Sequence, residues 1–339
     1  MIAPLAKFID WYALQFFWAI RLKSVPKWNI NAEKSKLDEA LQFLNGPDFI
    51  PAESHPAQVE FNGPKRFLFH TPKPCDIAEN NIVYGRLYRG ARHWQERPAI
   101  ILLHGGGDFL NHRFRFPWIV PACNRAGFNA ATVVAPYHFQ RRARGLAEWS
   151  HLRTAQAFAQ AVAEIRALTG WFLGEGCPSV ALWGFSLGGW IAGLAACHDT
   201  RLASVVLTMP GVRMDYKFSR AERVVWRCVR EALWAQRAPR AALDTTPLNL
   251  TLSRPVIPRE NILLIEGIHD LFIETEAIEE LWQKWGQPDI WRLPHGHISQ
   301  MAMPGLTGRV LRWLAPRLDA SPLRHDQSKP PNHAGEQGI

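Results

Sequence analysis

An alternation of short apolar runs with helical stretches, which begins near residue 98, limits most strongly how this chain can fold. The apolar runs are typical of buried parallel strands and cover residues 99–103, 130–135, 180–185, 203–209, 262–265 and 290–293. Helical stretches lie between the runs, and the longest, at residues 152–173, places its apolar residues about every 3.6 positions. This alternation predicts an α/β fold with a mostly parallel central sheet flanked by helices.

The remaining segments predict the domain organisation. Residues 1–56 are interpreted as an aromatic N-terminal helix with a lead-in, and residues 57–320 as the α/β domain, whose first strands form an antiparallel hairpin-like start. Residues 213–259 interrupt the alternation with helical and proline-containing sequence, which predicts a helical cap over the carboxyl edge of the sheet. Residues 321–339 contain few apolar side chains and are predicted to be disordered.

The composition indicates a globular protein from a reducing compartment. The chain has 339 residues, of which 47% are hydrophobic, enough for a sizeable core. Its five cysteines are scattered, odd in number and never spaced as C-x-x-C, which argues against a disulfide framework and a structural zinc site. We therefore expect a cytoplasmic location, with or without association to a membrane.

The positive charge has two interpretations. A net charge of +9 would suit nucleic acid or an anionic membrane, but the lysines and arginines are dispersed and no nucleic-acid-binding motif is present. We therefore expect no nucleic-acid partner. The charge is interpreted as a solvated surface, with binding to anionic lipid as the second choice.

The N-terminal segment, residues 2–22, is rich in aromatic and aliphatic side chains. It lacks a small-residue cleavage site, Lys7 and Asp10 interrupt it, and its longest uncharged run, residues 11–20, is too short to span a bilayer. The segment is therefore predicted to be neither a signal peptide nor a transmembrane helix. Two interpretations remain: a helix docked on the domain, or an amphipathic helix in contact with a membrane surface.

A G-x-S-x-G motif places Ser186 between an apolar strand and a helical stretch at residues 187–196. A sharp strand-to-helix turn leaves no room for side chains two positions before and after its centre, which explains Gly184 and Gly188. Such a turn exposes the serine hydroxyl at the edge of the sheet. Ser186 is therefore the candidate nucleophile, and a capping serine in a tight turn is the alternative.

A triple glycine follows the first strand of the alternation. Gly105, Gly106 and Gly107 let the backbone approach an acyl carbonyl and direct N–H groups at its oxygen, and the N–H of Leu187 would complete an oxyanion hole. Gly106, Gly107 and Leu187 are the candidate donors. His104, which leads into the glycines, is interpreted as a brace for the loop.

The candidate acid and base each follow a later strand. Asp270 lies just beyond the strand at residues 262–265, and Glu266 and Asp215 are the alternatives. His297 follows the last strand and precedes a helical pattern, and His295 is the alternative base. The acid would orient the imidazole and stabilise its protonated form.

The order Ser186, Asp270, His297, with the glycine loop upstream, resembles the α/β-hydrolase superfamily over residues 98–317. The stretches HGGGD, VVAPYHFQRR at residues 133–142 and GFSLGG, together with the aromatic N-terminal helix, are similar to the branch named after α/β-hydrolase domain-containing protein 18. The resemblance implies acyl transfer to water through an acyl-serine, without a metal or an organic cofactor.

The predicted function is hydrolysis of a carboxylic ester, with a small-molecule or lipid ester of hydrophobic acyl character as substrate. Three alternatives stay open: a thioesterase, an acyltransferase that uses the same triad, and a non-catalytic scaffold that binds a ligand or partner. A peripheral contact of residues 2–22 with membrane is a further expectation.

Overall fold

The computed structural model describes residues 2–22, 30–106, 111–142, 150–214 and 241–319. At residues 2, 17–22, 30–35 and 319 it describes the backbone alone. Gly107, most of the predicted cap and the whole predicted C-terminal tail therefore lie outside the described residues.

A nine-stranded sheet forms the centre of the molecule, with the strand order β1-β2-β3-β5-β4-β6-β7-β8-β9. The first three strands and the β3–β5 pair are antiparallel, whereas every neighbouring pair from β5 to β9 is parallel. The strands are β1 (Glu60–Asn62), β2 (Arg66–His70), β3 (Ile82–Tyr88), β4 (Ala99–Leu103), β5 (Asn129–Val133), β6 (Val180–Phe185), β7 (Ser204–Thr208), β8 (Ile262–Gly267) and β9 (Asp289–Leu293).

Helices cover both faces of the sheet. They are α1 (Ile2–Leu22), α2 (Ile30–Asn45), α3 (Phe116–Arg125), α4 (His151–Gly174), α5 (Leu187–Ala196), α6 (Thr275–Lys284) and α7 (Leu306–Asp319). One apolar cluster joins α4, α5 and α6 to one face of the sheet, and a second joins α3 and α7 to the other. A single π-helical turn, Asn111–Arg115, precedes α3.

Strands β4 to β8 are buried along their whole length, because helices cover both faces of the sheet. The sequence of a strand buried on both sides is a continuous apolar run. The boundaries of these strands can therefore be predicted from the sequence to within about two residues. The predicted fold class is confirmed. Because parallel strands end at the same edge, the loops after β4, β6, β8 and β9 all emerge at the carboxyl edge of the sheet.

A buried ion pair holds the loop that follows β5. The guanidinium of Arg141 donates two hydrogen bonds to the carboxylate of Glu164 on α4, at 2.8 and 2.6 Å. It also donates to the carbonyl oxygens of Val134 (2.9 Å) and Asn80 (2.6 Å), and both side chains of the ion pair are almost fully buried. Arg141 thereby connects the loop after β5, the turn before β3 and α4.

Helix α1 presents two different faces. Ala6, Asp10 and Leu14 are buried, at a spacing of four residues, whereas a stripe of large apolar side chains on the opposite face is exposed to solvent. This exposed stripe consists of Leu5, Phe8, Tyr12 and Phe16. No helix among the described residues combines the length and the apolar character that a membrane span requires.

Candidate active site

Ser186 occupies the hinge between β6 and α5 with a backbone conformation that is rare for residues other than glycine. Its φ angle is +52°. The strained turn is fixed by backbone hydrogen bonds: the N–H of Ser186 donates to the carbonyl of Thr208 on β7 (2.9 Å), and its carbonyl accepts from Trp190 (3.0 Å) and Gly211 (3.2 Å). Strain that surrounding bonds maintain is typical of a functional residue.

The glycines on either side of Ser186 are required by close backbone contacts. A Cβ atom at Gly184 would overlap the carbonyl oxygen of Gly188, and a Cβ atom at Gly188 would overlap the carbonyl oxygen of Leu103 at the end of β4. No side chain fits at either position without moving the backbone. The turn can therefore form only with this spacing of glycines.

The glycine loop after β4 lies against Ser186. A Cβ atom at Gly105 would lie 3.2 Å from the Cβ atom of Ser186, whereas Gly106 is exposed and a Cβ atom there would meet open space. Leu187 is the first residue of α5, so its N–H has no acceptor within the helix. The assignment of Gly106, Gly107 and Leu187 as oxyanion donors stays a prediction.

His104 connects the loops that follow β4 and β5. Its Nε2 accepts a hydrogen bond from the N–H of Ala135 (3.0 Å), and its Nδ1 lies 2.9 Å from the carbonyl of Gly105, so the proton belongs on Nδ1. Burial holds the pKa of His104 well below its ordinary value. The side chain is therefore a neutral imidazole with both nitrogens engaged by backbone, an arrangement suited to a brace and unsuited to a base.

The candidate acid and base form a buried pair at the carboxyl edge of the sheet. The Nδ1 atom of His297 lies 2.7 Å from Oδ2 of Asp270, and both side chains are almost fully buried. The other carboxylate oxygen of Asp270 accepts from the N–H groups of Phe272 (2.7 Å) and Ile273 (2.8 Å). The Phe272 ring stacks on the imidazole with a centroid distance of 4.7 Å. The imidazole is thus held on two sides.

The electrostatic environment of His297 makes it a stronger base. Burial alone lowers the pKa of His297, but the charge of Asp270, its hydrogen bond and the charge of Asp10 together raise the pKa above its ordinary value, against an opposing effect of Arg115. With a proton on Nδ1 directed at Asp270, the free Nε2 can accept a proton from a hydroxyl group.

The alternative acid and base lie in other environments. Glu266 is buried beside Arg292, with 3.5 Å between the Arg292 Nε atom and the Glu266 Oε2 atom, and burial next to Glu279 raises the pKa of Glu266 to about 7. His295 is half-buried, and its Nδ1 lies 3.5 Å from the Ser299 hydroxyl. The third alternative, Asp215, lies outside the described residues.

A match to a known family agrees with this geometry. The model of the alpha/beta hydrolase family matches residues 100–327, which is more than half of the chain. The chain belongs to the α/β-hydrolase family. Over 254 residues, 72% of its length, it is 29% identical to the uncharacterized protein Rv2627c of Mycobacterium tuberculosis. The chain spans about half, 57%, of the length of this curated relative.

Solved structures with the same fold include several esterases. The esterase Pf2001 of Pyrococcus furiosus is 16% identical, with a TM-score of 0.53, and the match covers 78% of this chain and 98% of that one. Acetyl xylan esterase 1 of Thermoanaerobacterium sp. JW/SL YS485 is 12% identical, with a TM-score of 0.55, and the match covers 87% and 94% of the two chains. At these identities the similarity establishes the shared fold.

The N-terminal helix of this α/β-hydrolase contributes a residue that the sequence analysis did not identify. Asp10 is fully buried, and its Oδ2 accepts from the N–H groups of His297 (2.6 Å) and Leu271 (3.1 Å), while Oδ1 accepts from Ile298 (2.9 Å). From the sequence, Asp10 was only a charge that interrupts an apolar segment. Its place in one helical stripe with Ala6 and Leu14 is the signal that indicates a buried carboxylate.

The described residues of this α/β-hydrolase contain neither a metal-binding cluster nor a disulfide. Over the parts of the chain that the structure describes, no group of three or more histidine, cysteine, aspartate or glutamate side chains is arranged to hold a metal ion. The cysteines in those parts, Cys75, Cys123, Cys177 and Cys197, are free thiols.

Proposed function

We propose that this α/β-hydrolase is a carboxylic ester hydrolase with Ser186 as nucleophile, His297 as general base and Asp270 as the acid that orients the base. The observation that carries the proposal is the combination of a strained serine after β6 with a buried Asp270–His297 pair after β8 and β9. An alcohol becomes a nucleophile at neutral pH only when a base accepts its proton, and His297 supplies that base.

The proposed reaction has two halves. The Ser186 oxygen attacks the carbonyl carbon of the ester as its proton passes to Nε2 of His297, and the carbonyl oxygen receives the negative charge. The tetrahedral intermediate collapses to an acyl-serine, and the leaving alcohol takes the proton from His297. Water then attacks the acyl-serine in the same way, releasing the carboxylic acid and restoring the serine.

Backbone N–H groups at Gly106 or Gly107 and at Leu187 are the proposed donors to the carbonyl oxygen. Two features support this assignment: the glycine loop lies against Ser186, and the N–H of Leu187 is at the N-terminus of α5, where the helix dipole favours negative charge. Loss of one such donor costs about 3 kcal/mol of transition-state stabilisation.

The substrate is proposed to be an ester with a hydrophobic acyl group. We expect kcat/KM for p-nitrophenyl ester hydrolysis to increase as the acyl group lengthens from acetyl to a medium-length chain. A longer apolar chain loses more water-exposed surface on binding. The measurement is a series of initial rates over acyl length.

Product analysis and a change of acyl donor distinguish hydrolysis from the alternative functions. Product analysis with and without an added alcohol separates hydrolysis, which yields free acid, from acyl transfer, which yields a new ester. Faster turnover of acyl thioesters than of matched oxygen esters would indicate a thioesterase. Absence of turnover on every acyl donor would contradict the proposed hydrolase and favour a scaffold.

A second part of the proposal is that the exposed stripe of α1 contacts an anionic lipid surface. A continuous row of four large apolar side chains, Leu5, Phe8, Tyr12 and Phe16, is an unusual solvent-exposed feature, and the chain carries a net charge of +9. The buried face of the same helix contacts the loops of the candidate site through Asp10. Contact with lipid would therefore place the site close to hydrophobic esters.

Vesicle binding tests the lipid contact. The chain is expected to sediment with vesicles of phosphatidylcholine and phosphatidylserine, and the double variant Phe8→Ser/Phe16→Ser is expected to bind at least about tenfold more weakly, because two exposed aromatic rings no longer enter the interface. Leu252→Ser, which removes an exposed apolar side chain outside α1, is the matched control. Equal binding of all three proteins would contradict the lipid contact.

The proposal also includes a cellular location and a branch of the family. We infer a cytoplasmic location with reversible contact to a membrane, supported by the four free thiols among the described residues. Membership of the branch of α/β-hydrolase domain-containing protein 18 is supported by the motifs that surround His104, Arg141 and Ser186.

A further inference from the structure

Helix α1 reaches the candidate site through a single polar side chain. Asp10 lies between Ala6 and Leu14 in the buried stripe of the helix, and its side chain is fully buried. A carboxylate in an apolar stripe loses its hydration, so such a position is unfavourable unless hydrogen bonds or charges replace the water. An apolar residue would dock the helix at a lower cost in desolvation.

The hydrogen bonds that replace the water come from two different loops. The N–H of Leu271 belongs to the residue directly after Asp270, in the loop that follows β8. The N–H groups of His297 and Ile298 belong to the loop that follows β9. One carboxylate therefore connects the main chain beside the acid with the main chain of the base.

Gly296 is matched to this carboxylate. A Cβ atom at Gly296 would lie 2.5 Å from Oδ2 of Asp10 and 2.6 Å from its Cγ atom, so only glycine lets the carboxylate approach the loop. The same loop is fixed from the other side, because the carbonyl of His295 accepts a hydrogen bond from the N–H of His269 (3.1 Å). The position of the His297 main chain is thus determined jointly by α1 and the β8 loop.

We propose that Asp10 is a positioning residue of the active site. Its three backbone hydrogen bonds hold the Asp270 and His297 loops in the relative positions that the base requires. The proposal rests on the proposed function, since it concerns the same serine hydrolase site. It makes α1 a structural part of that site.

The charge of Asp10 gives the proposal a second, independent readout. The groups that face His297 are Asp270 and Phe272 from the β8 loop, Asp10 from α1, and Arg115 from the turn before α3. The negative charge of Asp10 raises the pKa of His297, while burial and the Asp270 charge raise the pKa of Asp10 itself. Removal of the Asp10 charge therefore lowers the pKa of His297.

The test compares Asp10→Asn with Asp38→Asn, the same substitution at an exposed position of α2. Asparagine keeps the size of the side chain but supplies one oxygen for three donors and turns its NH₂ group toward one of them. We expect kcat for ester hydrolysis to fall on the order of tenfold in Asp10→Asn with KM changed less than about twofold, because misplacing a base slows the chemical step. The control should retain the parent values.

An NMR titration of labelled histidine side chains, with His297 assigned from a His297→Gln variant, measures the second effect. The pKa of His297 is expected to be lower in Asp10→Asn than in the parent protein or in Asp38→Asn. The acid limb of the kcat/KM profile should move to lower pH by the same amount, because the neutral imidazole then persists at lower pH.

Gly296→Ala provides a variant that retains every charge. Its methyl group would displace the Asp10 carboxylate, so kcat should fall about as much as expected for Asp10→Asn. This variant therefore tests the positioning role even if Asp10→Asn folds poorly. Parent values of kcat and of the His297 pKa in a folded Asp10→Asn protein would overturn the proposal. If the parent enzyme hydrolyses no ester, the proposed function fails, and the NMR titration alone still decides whether Asp10 acts on His297.

Discussion

Replacement of Ser186 by alanine is expected to lower kcat/KM for ester hydrolysis by at least about 10³-fold, because the acyl-serine can no longer form. The remaining rate would come from substrate binding and from stabilisation of the carbonyl oxygen by backbone N–H groups. The fold should persist, since alanine carries the same Cβ atom as serine at φ +52° and Ser186 is only half-buried. The measurement is steady-state hydrolysis of the best p-nitrophenyl ester by both proteins.

Ser253→Ala is a suitable control for this experiment. Ser253 is half-buried in the loop before β8, and it is not part of the strand-to-helix hinge. The control should keep the parent rate within about twofold, as expected for a substitution away from any reacting group. A Ser186→Ala enzyme with the same rate as the control would show that another residue carries the reaction.

Replacement of Arg141 by methionine is expected to destabilise the protein by about 3–5 kcal/mol, because it leaves the buried carboxylate of Glu164 without its partner. The carbonyls of Val134 and Asn80 would also lose a donor. For a chain of 339 residues the loss corresponds to a decrease in Tm of about 4–7 °C. Thermal unfolding followed by circular dichroism measures it.

Two further variants compare the contribution of the buried ion pair to stability with that of an exposed ion pair. Arg153 pairs with Asp76, whose side chain is 68% exposed, so Arg153→Met should cost about 1 kcal/mol or less. The double variant Arg141→Met/Glu164→Leu removes both buried charges and should recover much of the stability lost in the single variant. Equal destabilisation by Arg141→Met and Arg153→Met would contradict the interpretation of the buried pair.

The sequence predicts the centre of the sheet better than its edges, for a physical reason. Strands β4 and β6 are covered by helices on both faces, so burial selects apolar residues at every position and leaves clear boundaries. At the edge, β1 is exposed at every residue and only three residues long, and no apolar pattern marks it. The sequence therefore indicates the antiparallel lead-in without its boundaries.

The candidate site shows the same contrast. The position of Ser186 follows from local geometry, because the glycines two residues away are needed for the turn itself. Position after parallel strands predicts Asp270 and His297 as acid and base but leaves Glu266, Asp215 and His295 as alternatives. In the structure the Asp270 and His297 side chains lie 2.7 Å apart. Asp10 contacts residues more than 260 positions later in the chain, and a local sequence pattern cannot predict such a contact.

Covalent labelling shows whether Ser186 is an activated nucleophile. The purified chain is treated with a fluorophosphonate, which reacts with a serine that a neighbouring base has activated, and its intact mass is compared with that of Ser186→Ala treated in parallel. A single adduct is expected on the parent protein and none on the variant. An unmodified parent protein that is folded, or equal labelling of both proteins, would contradict the assignment of Ser186 as the nucleophile.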